Sequence, residues 1–143
     1  MKRAIINMAL IASLLLFSQS AISFQQDVSN KVKAAFVFNF IKYVEWPNEK
    51  NIANFTIGFY GDDKAYIEAL QQMHNMKVRH FSIQIIKITS IEQEKKLHII
   101  VLDKAQSKNI MKIAMQLNEQ ATLIISDNAA DKKNTMLNFI ESE

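Results

Sequence analysis

Residues 32–47 constrain the fold of this chain most, because they predict a helix with more apolar surface than a single core can cover. At about 100° of rotation per residue, the mostly apolar arc is wider than the third to a half of the circumference that is usual for a surface helix. Its members are Trp46, Asn39, Val32, Tyr43, Phe36, Phe40, Val44, Val37 and Ile41, with Lys33 as an interruption. The segment therefore predicts a helix covered on two sides of its own domain, or covered by a partner.

Residues 1–23 have the features of a secretory signal peptide. Lys2 and Arg3 supply the positive start, residues 4–17 are almost all apolar, and Ala21 and Ser23 are small residues of the kind that a signal peptidase requires. The apolar run is shorter than the roughly 20 residues that a membrane-spanning helix needs. We therefore expect cleavage after Ser23, export, and no membrane insertion of the mature chain.

The composition excludes several classes of function. Of the 17 basic residues, Lys2 and Arg3 leave with the signal peptide, so the mature chain is close to balance with its 14 acidic residues. The remaining lysines alternate with acids, which excludes the clustered basic surface of a protein that binds nucleic acid or an anionic membrane. The sequence has no cysteine, so disulfides, thiolate metal sites and a cysteine nucleophile are excluded. The length of residues 24–143 suits one domain.

Short apolar runs alternate with amphipathic segments along residues 24–143. Strands are predicted at 55–60, 81–88, 97–102, 121–126 and 135–140, and helices at 32–46, 64–73 and 104–120. This order predicts a layered α/β fold with a mostly parallel sheet and helices on both faces. The last strand follows a loop rather than a crossover helix, so we expect it to be antiparallel at an edge of the sheet.

Three short motifs within residues 32–47 carry a resemblance to a known family. They are Val-Lys-Ala-Ala-Phe at 32–36, aromatic-Asn-Phe at 38–40 and Trp-Pro at 46–47. Together they resemble the signature of the YfiR family of exported bacterial proteins. Four later strand segments are similar in order to the pattern of that family, namely 55–61, 97–102, 123–127 and 136–139.

The resemblance implies a periplasmic regulator. Similar proteins contact the periplasmic part of a membrane-bound diguanylate cyclase and repress it, which lowers cyclic-di-GMP and restrains biofilm formation. The resemblance implies neither enzymatic activity nor a cofactor. Family members usually continue past the strand at 136–139 into a returning strand and a final helix, so we expect a fragment or a shortened member with an apolar sheet edge or face left open.

The apolar helix is the expected site of partner contact. Candidate partner-binding residues are Phe38, Asn39, Lys42, Tyr43 and Trp46, since tryptophan and tyrosine are enriched at binding hot spots. A competing interpretation is that the helical spacing of Phe36, Phe40 and Tyr43 marks core residues, and Trp46 could equally fold onto the sheet. The apolar surface is also compatible with a two-fold homodimer.

An alternative function is a periplasmic sensor of a small molecule or cation. Asp62 and Asp63 follow one predicted strand and Asp103 follows another, and the carboxyl ends of parallel strands are where α/β proteins bind ligands. Three carboxylates there could hold Mg²⁺ or Ca²⁺. Helix capping is the competing explanation for Asp62 and Asp63.

No other catalytic chemistry is indicated by the sequence. His74, His80 and His98 lack the spacing that would place two of them on one helical face beside a carboxylate, so no metal site is predicted from them. Gly58 and Gly61 are the only glycines, which leaves no Gly-rich phosphate loop or nucleophile elbow. We therefore expect a binding protein rather than an enzyme.

Overall fold

A mostly parallel sheet organises the part of the chain that the structure, a computed structural model, describes: residue 25 and residues 28–91, 96–117 and 121–140. The predicted signal peptide and its cleavage site lie outside these ranges. Six strands follow the spatial order β2-β3-β1-β4-β5-β6. They are β1 (Asn54–Tyr60), β2 (Lys77–Val78), β3 (Phe81–Ile88), β4 (Ile99–Leu102), β5 (Leu123–Asp127) and β6 (Leu137–Phe139).

Three α-helices cover the two faces of the sheet, as predicted. Helix α1 spans residues 28–43, α2 spans Lys64–Gln71 and α3 spans Ile110–Gln116. Short 3-10 helices occupy Glu49–Asn51 and Gln106–Asn109. Side chains of α1 and α2 pack with one face of the central strands in one apolar cluster. Side chains of α3 pack on the other face in a second cluster.

Strands β4 and β5 are buried on both faces, which explains their continuous apolar sequences. Every residue of β4 and of β5 is buried, as expected for parallel strands between two helical layers. Strand β1 lies between β3 and β4 and pairs with both in parallel. The predicted α/β class and layer arrangement are therefore confirmed.

The antiparallel edge strand lies elsewhere than predicted. Strand β2 pairs with β3 in antiparallel orientation, whereas the last strand, β6, pairs with β5 in parallel. Parallel neighbours usually need a long crossover, but β6 is short, so residues 128–136 can return along β5 without a helix. Hydrogen bonds fix this return, with Asn128 N–H donating to Phe139 O at 2.7 Å and Met136 N–H to Ile124 O at 3.0 Å.

Helix α1 ends before the predicted boundary at Trp46. The chain bends at residue 44 and leaves helical geometry. Arg79 Nη2 donates to the carbonyl oxygens of Ile41 at 2.7 Å and Val44 at 2.9 Å, and so satisfies carbonyl groups that have no partner within the helix. Arg79 Nη1 also pairs with Glu49 Oε2 at 2.7 Å. The helix end is thus held from the neighbouring sheet edge.

Candidate functional site

The inward side of α1 combines apolar and polar groups. Ala34, Val37 and Ile41 are buried in the core cluster shared with the sheet. On the same side, Asn30 and Lys33 are also buried. Lysine is almost never fully buried unless it is paired, so the position of Lys33 requires a specific partner.

That partner is Asp127, the last residue of β5. Lys33 Nζ lies 2.8 Å from Asp127 Oδ2, and each side chain is only 5% exposed. The Lys33 ammonium also lies 5.8 Å from the centroid of the Tyr66 ring on α2. Asp127 N–H donates to Ser107 Oγ at 2.9 Å. The ion pair therefore ties α1 to the carboxyl end of the sheet, beside α2.

Tyr66 completes this buried group. Its hydroxyl is buried without a hydrogen-bond partner among the residues that the structure describes. Burial raises the pKa of Tyr66 far above its ordinary value of 10.0, and the nearby carboxylates of Asp127 and Asp63 raise it further. The ring consequently stays neutral beside the ion pair.

The opposite side of α1 exposes a row of four apolar side chains and one asparagine, which we name the outer stripe: Val28, Val32, Phe36, Asn39 and Tyr43. Val28 is 45% exposed, Val32 50%, Phe36 56% and Tyr43 75%, and Asn39 is exposed with them. Their spacing of four, four, three and four residues places them on one helical face. The Phe36 ring lies 6.1 Å from the Phe139 ring of β6, so the outer stripe continues toward the edge of the sheet.

The five candidate partner-binding residues differ in how far the structure exposes them to solvent. Asn39, Lys42 and Tyr43 are exposed, and the Lys42 ammonium lies 5.5 Å from the centroid of the Tyr43 ring. Phe38 is partly buried against the core. Trp46 is buried at 8% exposure and packs edge-on to Phe55 at 4.7 Å, which agrees with the competing interpretation that it folds onto the sheet.

The core interpretation of three aromatic residues is wrong for two of them. Phe36 and Tyr43 are exposed, while Phe40 is partly buried against the core. The helical spacing was correct, but it could not show which side of the wide arc faces the sheet. The buried positions of Lys33 and Asn30 belong to the inward side, together with the core residues of α1.

The three acids proposed for the alternative site each form contacts that do not involve a ligand. Asp63 caps α2, its Oδ1 accepting from Tyr66 N–H at 2.9 Å. Asp103 Oδ2 accepts from Asp62 N–H and Asp103 Oδ1 from Gln106 N–H, both at 2.8 Å. The side chain of Asp62 points to solvent and pairs with Lys87 at 3.0 Å. Capping thus explains Asp63, whereas Asp62 forms a surface ion pair.

Gly61 allows Asp103 to approach the backbone. A Cβ atom at position 61 would lie 2.3 Å from Cγ and Oδ2 of Asp103, and Gly61 has a φ of +156°. Any larger residue at position 61 would displace the Asp103 carboxylate, which accepts the hydrogen bonds from Asp62 N–H and Gln106 N–H in the turns after β1 and β4. In the described ranges, no group of three or more histidine, aspartate or glutamate side chains comes together as a metal site.

Two functional features were not recognised from the sequence. The buried pair of Lys33 and Asp127 joins residues 94 positions apart, and its one sequence signal was the interruption of the apolar arc by Lys33. Phe36 was assigned to the core although it belongs to the outer stripe. The sequence pattern that indicates such an ion pair is an acid at the end of a buried strand combined with a lysine inside an apolar arc.

The architecture defines a three-layer α/β domain that carries an aromatic, solvent-exposed helix face. The sequence profile of the YfiR/HmsC-like family matches residues 30–143, and the chain belongs to this family. Membership indicates a periplasmic regulator of diguanylate cyclases. No curated protein and no solved structure matches the chain significantly.

Within the described ranges, no helix combines the length and the apolar character needed to cross a bilayer.

Proposed function

We propose that this chain is a periplasmic regulatory protein that binds the periplasmic part of a membrane-bound diguanylate cyclase and represses it. Repression lowers cyclic-di-GMP and restrains biofilm formation. Family membership supports the regulatory class and its target. The observation that carries the proposal on this chain is the outer stripe of α1, where four large apolar side chains are between 45% and 75% exposed.

The outer stripe has the composition of a protein-binding surface. Phe36 and Tyr43 are aromatic residues, which are enriched at interface hot spots. Asn39 lies between them and offers a hydrogen-bonding amide, and Lys42 adds a charge beside Tyr43. Exposed apolar residues that form a continuous patch mark interaction sites more strongly than isolated ones. The proposed contact therefore centres on Phe36, Asn39, Lys42 and Tyr43.

Phe38 and Trp46 take a supporting role in the proposed contact. Phe38 packs partly into the core and Trp46 packs on Phe55. Both residues fix the orientation and the end of α1, so that the exposed aromatic rings are presented in a defined arrangement. This pre-organisation reduces the conformational entropy that binding would otherwise cost.

Repression by contact requires a difference in affinity between two states of the cyclase. A bound protein can shift a conformational equilibrium only by as much as it prefers one state over the other. The proposed mechanism is that the outer stripe binds the inactive state of the periplasmic part more tightly than the active state. Export after cleavage at Ser23 brings the mature chain to that compartment.

Cyclic-di-GMP levels in cells test this function. Deleting the gene is expected to raise cyclic-di-GMP, and the wild-type gene is expected to restore the lower level. The double variant Phe36→Asp with Tyr43→Asp should fail to restore it, because two charges would interrupt the apolar contact. The matched control is Met111→Asp with Met115→Asp, since these residues are exposed on α3 at 55% and 69%. Unchanged cyclic-di-GMP after deletion, with the cyclase present, would contradict the proposal.

A further inference from the structure

A cavity of about 600 Å³ opens at the amino-terminal edge of the sheet, opposite the acids of the alternative site. Its walls come from the segment after α1, including Trp46, Asn51 and Asn54, and from the residues that precede β4 and β5, including Lys96, His98 and Thr122. A cavity of this volume is within the range of small-molecule sites. Its position at this edge separates it from both the outer stripe and the carboxylates.

The charges and polar groups of the cavity favour an anion. Lys96 contributes a positive charge to the lining, and asparagine side chains contribute amide groups, whereas the described residues that line the cavity include no carboxylate. The Thr122 hydroxyl is already engaged, because its Oγ1 donates to Leu97 O at 2.8 Å. The Lys96 ammonium and the amide donors of the described lining favour a ligand with acceptor oxygens and negative charge.

His98 lines the cavity and has one ring nitrogen, Nε2, that can donate a hydrogen bond. Its Nδ1 accepts a hydrogen bond from Thr56 N–H at 3.0 Å, so the neutral ring carries its proton on Nε2. Burial lowers the pKa of His98, and the Lys96 ammonium lowers it further, which keeps the ring neutral at neutral pH. The ring stacks on Phe55 with centroids 4.5 Å apart, and this contact fixes its plane.

The Trp46 indole lines the cavity beside these donors and forms its aromatic wall. Phe55 is fully buried and supports this wall, since its ring centroid lies 4.7 Å from that of the Trp46 indole and 4.5 Å from that of the His98 ring. The indole Nε1 of Trp46 is buried without a hydrogen-bond partner among the described residues. The cavity thus combines a planar apolar wall with cationic and neutral donors, which suits a ligand that has both an apolar ring and an anionic group.

We propose that this cavity binds a small organic anion, whose carboxylate or phosphate oxygens accept hydrogen bonds from His98 Nε2 and the Lys96 ammonium while its apolar part lies against the aromatic wall. The ligand makes direct contact with Trp46, which lies in the segment that connects α1 to β1. Binding of the ligand therefore stabilises this connection.

Fluorescence of Trp46 provides a direct test, because the chain contains one tryptophan. Benzoate and phenyl phosphate serve as probes for the two anionic groups, and benzyl alcohol is the neutral control. At concentrations up to about 10 mM, which detect weak ligands, at least one anion is expected to change the emission in a saturable manner. Whichever anion binds more tightly identifies the preferred group. Equal binding of benzyl alcohol, or no saturable change with either anion, would overturn the proposal.

Two variants connect the signal to the proposed donors. Lys96→Gln, at an exposed position, is expected to weaken anion binding by about tenfold, since a charge-assisted hydrogen bond is lost. His98→Gln should weaken it similarly, and His74→Gln is its control because His74 Nδ1 also accepts a backbone N–H, from Ile85 at 3.1 Å, outside the cavity. Unchanged affinity in Lys96→Gln would overturn the assignment even where His98→Gln fails to fold.

Discussion

Helices α1 and α3 cover opposite faces of one sheet and differ in which kinds of side chain they bury and expose. Helix α3 buries Ile110 and Ile113 and exposes Met111, Lys112 and Met115, which is the usual arrangement of a surface helix apart from the methionines. Helix α1 buries a lysine and an asparagine on its inward side, and its outward side exposes two valines, a phenylalanine and a tyrosine.

The difference shows that much of the apolar surface of α1 does not serve its own fold. Helix α3 packs on the sheet through apolar side chains of its cluster, whereas the attachment of α1 includes a buried ion pair. Such a pair contributes little net stability compared with apolar packing, but it is sensitive to the loss of one partner. Helix α1 is therefore held in a defined orientation, and that orientation leaves its aromatic side exposed.

The largest expected effect comes from breaking the ion pair. Lys33→Ala should lower the free energy of unfolding by about 3–5 kcal/mol, because Asp127 would remain buried with its lysine removed. Urea unfolding of the mature chain measures this change. The matched change on the other helix, Lys112→Ala at an exposed position, should stay within about 0.5 kcal/mol.

Replacing both members of the ion pair tests further whether α1 and α3 are attached to the sheet in different ways. The double variant Lys33→Met with Asp127→Leu should recover most of the loss, since two apolar side chains of similar size can replace a buried ion pair. A loss below about 1 kcal/mol in Lys33→Ala would show that α1 is attached like α3, by apolar packing. It would remove the distinction between the two helices.

Alkaline pH should weaken the fold through Tyr66, which lies beside the ion pair. The folded-state pKa of Tyr66 is raised above its ordinary value of 10.0, so above pH 10 the unfolded chain loses this proton while the folded chain keeps it. The free energy of unfolding should therefore fall by up to about 1.4 kcal/mol per pH unit above pH 10 from this group. Tyr66→Phe should remove that part of the loss. Identical alkaline profiles for the two proteins would contradict the buried position of the hydroxyl.

Loss of the N-cap of α2 is expected to have an intermediate effect on stability. Helix α2 packs on the same face of the sheet as α1. Asp63→Ala should lower the free energy of unfolding by about 1 kcal/mol, the usual contribution of an N-cap side chain. Calorimetry of the variant, with and without Mg²⁺ or Ca²⁺, also tests the alternative sensor function. A cation that raised the melting temperature of the wild-type protein but not of Asp63→Ala would favour a cation site over a cap.

The smallest expected effect concerns exposed positions of the two helices. Tyr43→Ser on α1 and Met115→Ser on α3 should each change the free energy of unfolding by less than about 0.5 kcal/mol, because both side chains are largely exposed. Thermal unfolding compares the two. A loss of more than about 1 kcal/mol for Tyr43→Ser alone would mean that its ring stabilises the fold.

The sheet could be predicted from sequence because its signals are local. The apolar runs at Ile99–Leu102 and Leu123–Asp127 correspond to fully buried strands, and the helical spacing of the segments between other strands predicted helices on both faces. The direction of β6 could not be predicted, since its return depends on hydrogen bonds such as that from Asn128 to Phe139. The early end of α1 likewise depends on Arg79, which is 38 residues from Ile41 in the sequence.

The candidate site could be predicted in part, for a similar reason. The excess width of the apolar arc correctly indicated that the helix exposes apolar surface, and Asn39, Lys42 and Tyr43 are exposed. Which residues face outward depends on the pairing of Lys33 with Asp127, 94 positions away. Periodicity within one helix contains no information about that distant partner.

The affinity of the mature chain for the full-length, detergent-solubilised cyclase tests the central claim most directly. The double variant Phe36→Asp with Tyr43→Asp is expected to bind at least about 100-fold more weakly, as for the loss of two hot-spot residues. Met111→Asp with Met115→Asp should bind within about twofold of the wild-type chain. Equal affinity of both double variants, or loss of binding in the α3 variant alone, would contradict the claim that the outer stripe of α1 is the partner-binding surface.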